Sequence, residues 1–152
     1  MADLNGVAAW TNPNVGSVSA FFPCYNDAST IARMVADAGR ALERCVADFE
    51  LIVVDDGSRD DSAAVLSDLS SRMPKLRVVT HPHNKGYGAA LISGFGAATK
   101  EWIFYTDGDG QYEASDLDDL VRAVADDIDV VQGWKIERAD AWYRTITGEV
   151  FG

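Results

Sequence analysis

Residues 50–62 read ELIVVDDGSRDDS. Leu51, Ile52, Val53 and Val54 are aliphatic in unbroken succession, the pattern of a strand covered on both faces rather than one. Asp55-Asp56-Gly57-Ser58 ends the run. Ser58 with Asp61 three residues on has capping-box spacing and predicts a helix carrying Val65, Leu66, Leu69 and Met73. A doubly covered strand leading straight into a helix is the repeating unit of a parallel α/β sheet.

The same rhythm runs outward in both directions. Ser17–Phe22 is a short β-rich run ended by Pro23, and Ile31, Met34, Val35, Ala38, Leu42, Cys45, Val46 and Phe49 follow at helical spacing. Leu76–Thr80 predicts a third strand, Gly86–Thr99 a helix of small residues, and Trp102–Thr106 a fourth strand. Ser115 and Asp118 suggest a cap ahead of Leu117, Leu120, Val121 and Val124. Ile128–Val131 predicts a fifth strand and Trp142–Phe151 a final amphipathic helix. The expected fold is α/β: a Rossmann-like, mostly parallel sheet with helices on both faces.

At 152 residues one domain is expected. Residues 1–16 read as a flexible leader, without the basic and apolar regions of a signal peptide, and residues 17–152 as the domain. GEVFG stops inside a helical pattern without a cap, so the domain is expected to be truncated at its C-terminus. No stretch approaches the roughly 18 apolar residues of a membrane helix, and a cytoplasmic location is expected. The net charge of −11, with no Lys/Arg cluster against it, excludes nucleic acid as a partner. Cys24 and Cys45 fit no CxxC or disulfide framework and read as buried free thiols.

Ligands of such sheets bind beyond the carboxyl ends of the strands. Four segments stand there: Pro23–Asp27, Asp55–Ser58, His81–Gly88 and Asp107–Gln111. Asp107 and Asp109 are two apart, so in an extended segment their carboxylates point the same way and repel unless a cation lies between them. Mg²⁺ or Mn²⁺ prefers such oxygen donors and commonly shares them with substrate phosphates, and Gln111 offers a third oxygen. Taken alone, DGDG also reads as an acidic turn at a strand end. Asp55 and Asp56 can accept from a ribose hydroxyl or a base N–H, whereas Gly57 and Ser58 suit a plain strand-to-helix turn. Tyr25 can stack on a base, while Asn26 or Asp27 is expected to cap the next helix. Lys85-Gly86-Tyr87-Gly88 puts a cation and flexible backbone at a helix N-terminus, a place for a diphosphate. His81 and His83 read as loop histidines, since no further zinc ligands follow at suitable spacing. An EF-hand is excluded because Tyr112 and Asp118 stand where Gly and Glu are required. No P-loop is present, Leu91 breaks a GxGxxG match, and no Ser/His/Asp set suggests acyl transfer.

Taken in order, FPCYNDASTI, ELIVVDDGSRDDS, HNKGYGAALISGF, FYTDGDGQYEASDLDDLV and VVQGWKIERADAWYR resemble the family 2 glycosyltransferases of GT-A fold, and within them the dolichol- or polyprenyl-phosphate sugar transferases. The resemblance spans nearly everything from Ser17 to Arg144. It implies that Pro23, Tyr25 and Asp27 (where Glu is more usual) contact the nucleotide, and that Asp55 and Asp56 hold base and ribose, to which the reading of the helix N-terminus adds Lys85 for the diphosphate. It implies that Asp107 and Asp109 are the catalytic DxD pair binding Mg²⁺ or Mn²⁺, with Gln111 a further ligand. Lys135, Arg138 and Arg144 fall where such enzymes hold the acceptor phosphate, although Trp134-Lys135 departs from the usual small residue followed by Arg.

The expected activity is therefore a metal-assisted, inverting transfer from a nucleotide-diphosphate sugar to polyprenyl phosphate, in the longer protein at the cytoplasmic face of a membrane. The alternative is a nucleotide-sugar or metal-binding module without turnover. A nucleotidyltransferase would need a Gly-rich basic loop after the first strand, and PCYND is not one.

Overall fold

The aliphatic run forms the centre of β2 (Asp48–Asp55), with Leu51 to Val54 fully buried. The structure, a computed structural model, describes residues 11–106 and 114–133. β1 (Ser17–Cys24) and β3 (Leu76–Thr80) flank β2, and β4 (Trp102–Tyr105) pairs with the far side of β1, giving a parallel sheet of order β3-β2-β1-β4. The connections are α1 (Ile31–Cys45), α2 (Ser62–Arg72) and α3 (Tyr87–Ala97), and α4 (Ala114–Ala123) follows β4.

Alternation along the strands divides the core. Ala20, Phe22, Leu51 and Val53 face one side, where α1, α2 and α4 bring Ile31, Met34, Leu42, Leu66, Leu117 and Val121. Phe21, Ile52 and Val54 face the other, against Ala90 of α3. Both faces are covered, as the continuous aliphatic run requires.

Register places the site. Cys24 pairs with Asp55 and Asp55 with Thr80, so β1, β2 and β3 end level on one rim, while Phe21 pairs with Tyr105 as β4 approaches it. From β3 the chain crosses over α3 to the opposite side of β1. The order therefore reverses between β1 and β4, and the crevice of an open α/β sheet lies at such a switch.

Several expectations are corrected. Ile128–Val131 forms no strand: the chain turns through an Ile128 N–H bond to Ala125 C=O, Val130 is 80% exposed, and among the described residues no partner strand lies alongside. α1 ends at Cys45, so Phe49, though buried, belongs to β2. Pro23 lies within β1 instead of ending it. Cys24 C=O accepts from Asp56 N–H on the β2 side, so Pro23 turns its imide nitrogen toward β4, past the end of that ladder, where no donor is needed. α2 begins at Ser62, so Ser58 and Asp61 form no capping box. α4 is already helical at Ala114, ahead of the expected Ser115 cap. The leader is anchored at its end: Val15 is buried, and Asn12 Nδ2 donates to Val121 C=O at 2.7 Å and Val124 C=O at 3.0 Å, satisfying carbonyls at the end of α4. Asp107, Asp109, Gln111, Lys135, Arg138, Arg144 and the Trp142–Phe151 helix lie outside the described residues.

Candidate nucleotide-sugar site

Parallel strands that end level feed their following loops onto the same rim, and these loops are laced by side chains reaching each other's backbone. Asn26 N–H donates to Ser58 Oγ at 3.0 Å, and Arg59 N–H returns a bond to Asn26 Oδ1 at 2.8 Å. Asp27 N–H donates to Ser62 Oγ at 3.1 Å, and Ala28 N–H to Asp60 Oδ2 at 3.1 Å. Neither Asn26 nor Asp27 caps α1 with its side chain. Asp27 Oδ2 accepts from Tyr25 N–H at 3.0 Å, and its main-chain carbonyl receives the Thr30 and Ile31 N–H groups. Asn26, with φ of 59°, takes the left-handed conformation that this tight exit from β1 demands. Tyr25 stands 41% exposed, its ring available to a planar ligand.

The two adjacent aspartates separate. Asp55 Oδ1 accepts from Ser58 N–H at 2.9 Å, an Asx-type closure of the turn, while its Oδ2 receives no donor among the described residues. Asp56, as buried as Asp55, turns instead to the loop after β3. Its Oδ1 meets His81 Nδ1 at 2.6 Å and accepts from Lys85 N–H at 2.9 Å, and its Oδ2 accepts from Gly86 N–H at 2.8 Å. Burial works against the ionised form of Asp56. The bonds from His81, Lys85 and Gly86 outweigh it and hold the carboxyl below its ordinary range. His81 lies in the loop after β3, as its sequence context suggests, but it is only 6% exposed, with Nε2 2.8 Å from Ser93 Oγ on α3.

The backbone of Lys85 and Gly86, expected to cradle a diphosphate, is thus committed to Asp56. The Lys85 side chain remains exposed on the rim. Of the residues named from the sequence, Tyr25, Asp27, Asp55, Asp56 and Lys85 come together around these three loops, and Pro23 is buried beneath them. Sequence reading missed His81 and Ser62. For His81 the signal was its place: a polar residue immediately after the third strand, where a buried carboxylate of the second strand can be met.

Cys24, below the rim, and Cys45 are both buried and free. Burial above all pushes each thiol up to about 11, so both stay protonated and inert near neutral pH. Among the described residues no cluster of three or more His, Cys, Asp or Glu side chains could hold a metal, and no helix is long and apolar enough to cross a membrane.

A sequence model of Glycosyl transferase family 2 matches residues 19–149. The chain belongs to this family. The family 2 assignment agrees with the fold, whose structural neighbours are GT-A glycosyltransferases. The undecaprenyl-phosphate 4-deoxy-4-formamido-L-arabinose transferase of Sodalis glossinidius (strain morsitans) is 33% identical over 136 residues, covering 88% of this chain and 41% of the relative. The chain therefore spans about two fifths of the length of that curated relative. The mannosyltransferase PcManGT of Pyrobaculum calidifontis, solved with GDP-Man and Mn²⁺, superposes with a TM-score of 0.51 at 26% identity, over 60% of this chain and 27% of its own. Glucosyl-3-phosphoglycerate synthase of Mycobacterium tuberculosis, solved with Mn²⁺, UDP and glucosyl-3-phosphoglycerate, superposes with a TM-score of 0.50 at 26% identity, over 62% of this chain and 34% of its own.

Proposed function

We propose that this chain forms the donor side of a glycosyltransferase that moves a sugar from a nucleoside diphosphate to a polyprenyl phosphate. The observation that carries the reading is Asp55: a carboxylate at the end of the central strand, one strand from the switch in strand order, with one oxygen closing its own turn and the other without a donor among the described residues. Such a group is placed to accept from a base N–H or a ribose hydroxyl. Tyr25, exposed across the same rim, gives the base a ring to stack on. The Lys85 ammonium adds positive charge toward the diphosphate.

Asp107, Asp109 and Gln111 supply the hard oxygen donors that suit Mg²⁺ or Mn²⁺. They follow β4 directly, at the strand beside the switch point. With a divalent cation bound, Asp107, Asp109 and Gln111 would hold it where it would offset the negative charge of the departing diphosphate. Lys135, Arg138 and Arg144 are assigned to the acceptor phosphate. One of that phosphate's oxygens attacks the anomeric carbon in line, the bond from that carbon to the nucleoside diphosphate breaks, and the configuration inverts. A phosphate oxygen is already anionic near neutral pH, so the step needs no general base. The named activity of the Sodalis relative supports the polyprenyl acceptor. The Mn²⁺ bound with GDP-Man or UDP in the structural neighbours supports the donor class and the metal.

The test is transfer of radiolabelled sugar from a panel of UDP- and GDP-sugars to detergent-dispersed short-chain polyprenyl phosphate, with and without Mn²⁺. Metal-dependent formation of a lipid-phosphate sugar is expected. Nucleotide-sugar binding with no transfer to any polyprenyl phosphate would replace the enzyme with a binding module.

A further inference from the structure

His81 belongs to neither of the roles that a histidine near a sugar diphosphate would ordinarily invite. Both ring nitrogens are taken: Nδ1 lies 2.6 Å from Asp56 Oδ1 and Nε2 lies 2.8 Å from Ser93 Oγ, in a ring only 6% exposed. A ring so held cannot ligate a metal or take a proton from substrate. An ionised Asp56 only accepts, so Nδ1 carries the proton of that bond, while the Ser93 hydroxyl, able both to donate and to accept, partners Nε2. The main chain of His81 is tied as well, its N–H donating to Asp55 C=O at 2.8 Å.

These bonds converge on one junction. Asp56 collects the His81 ring, Lys85 N–H and Gly86 N–H, and so draws the loop after β3 onto the loop after β2. The two loops already touch: a Cβ on Gly57 would stand 2.5 Å from His83 C and 2.7 Å from Asn84 N. Ser93 extends the connection into α3. On either side of the junction stand Asp55 and the Lys85 side chain, the two groups assigned above to opposite ends of the donor nucleotide.

We propose that His81 is a positioning residue of the donor site, acting through Asp56: the Ser93–His81–Asp56 chain fixes the spacing between Asp55, which meets the nucleoside, and Lys85, which meets the diphosphate. This inference rests on the proposed donor site. A buried carboxylate that loses one of three donors is left partly unsatisfied, and the loop carrying Lys85 and Gly86 is what can shift in response.

The test compares wild type, His81→Phe, which keeps a ring but removes both bonds, and His81→Asn, whose amide can still donate to Asp56. UDP and GDP are titrated calorimetrically with Mn²⁺, and hydrogen exchange is read at the Lys85 and Gly86 amides. For His81→Phe, nucleotide affinity is expected to fall about tenfold, equivalent to about 1.4 kcal/mol, with faster exchange at both amides. His81→Asn is expected to restore most of both. Unchanged affinity in folded His81→Phe would overturn the proposal, and so would an Asn variant as impaired as the Phe variant. Should His81→Phe not fold, Ser93→Ala carries the test, since it removes only the outer link. Raised exchange at Lys85 and Gly86 with weakened binding supports the proposal, and unchanged exchange with unchanged binding overturns it. If wild type binds neither nucleotide, the donor-site reading falls and this one with it, while the amide exchange still reports whether the junction exists.

Discussion

Gly57→Ala tests the junction between the loops that follow β2 and β3. Gly57 has φ of +69°, a left-handed conformation that costs an L-residue roughly 1–2 kcal/mol. The added methyl would also stand 2.5 Å from His83 C and 2.7 Å from both Asn84 N and His83 Cα, all backbone atoms with no rotamer to relieve the overlap. Restoring ordinary contact means separating the loops by close to an ångström. That would stretch the Asp56 bonds to Lys85 and Gly86, now 2.9 and 2.8 Å, beyond hydrogen-bond range. With overpacking at roughly 1–3 kcal/mol, the total penalty is about 2–5 kcal/mol. For a domain of this size that corresponds to a fall of about 5–15 °C in Tm. Circular dichroism melts of Gly57→Ala should be run beside Gly96→Ala, where an added methyl meets nothing within 4 Å in the last turn of α3. The control should be neutral or gain up to about 1 kcal/mol. A Gly57→Ala Tm within about 2 °C of wild type, less than 1 kcal/mol on this scale, would refute the close approach of the two loops.

Gly94→Ala should destabilise by about 1–3 kcal/mol in denaturant melts, because its methyl would run into the Phe21 ring, which is buried and stacked on Tyr105. The pH dependence follows from Asp56 and Glu50. Burial disfavours the charge on each, yet His81, Lys85 and Gly86 bonds at Asp56, and Ser19, Thr99 and Arg77 contacts at Glu50, leave both pKa values lowered. Folded values below the unfolded ones contribute stability that is present above the ordinary carboxylate range and lost as pH falls through the folded values. Tm should therefore fall as pH drops below ~4, and Asp56→Asn should show less of that fall than wild type.

The sheet was legible because its strands are defined by what covers them. Leu51 to Val54 can only be buried on both faces, and the residues spaced between Ile31 and Leu42 can only meet such a surface from one side of a helix. Ile128–Val131 misled for the complementary reason: apolar residues permit a strand, but a ladder needs a partner, and a turn at Ala125–Ile128 leaves Val130 in solvent. Local capping patterns misled in the same way. Ser58 has the spacing of a helix cap, but its hydroxyl is taken by Asn26 N–H from another loop, 32 residues away in sequence. At the rim, residue types and strand ends pointed to a polar, nucleotide-sized site. What the sequence could not divide was Asp55 from Asp56. Adjacent and identical, they differ in their partners: Ser58 N–H of its own turn for Asp55, and for Asp56 the ring of His81, 25 residues on, with the Lys85 and Gly86 amides.

The most direct test of the central claim is Mn²⁺-dependent binding of UDP- and GDP-sugars, measured by calorimetry on wild type and Asp109→Ala. The account predicts that one of the two donors binds wild type only with metal present, and that the variant loses this metal-dependent binding. Equal binding by wild type and Asp109→Ala, or no metal-dependent binding of either donor, would contradict it.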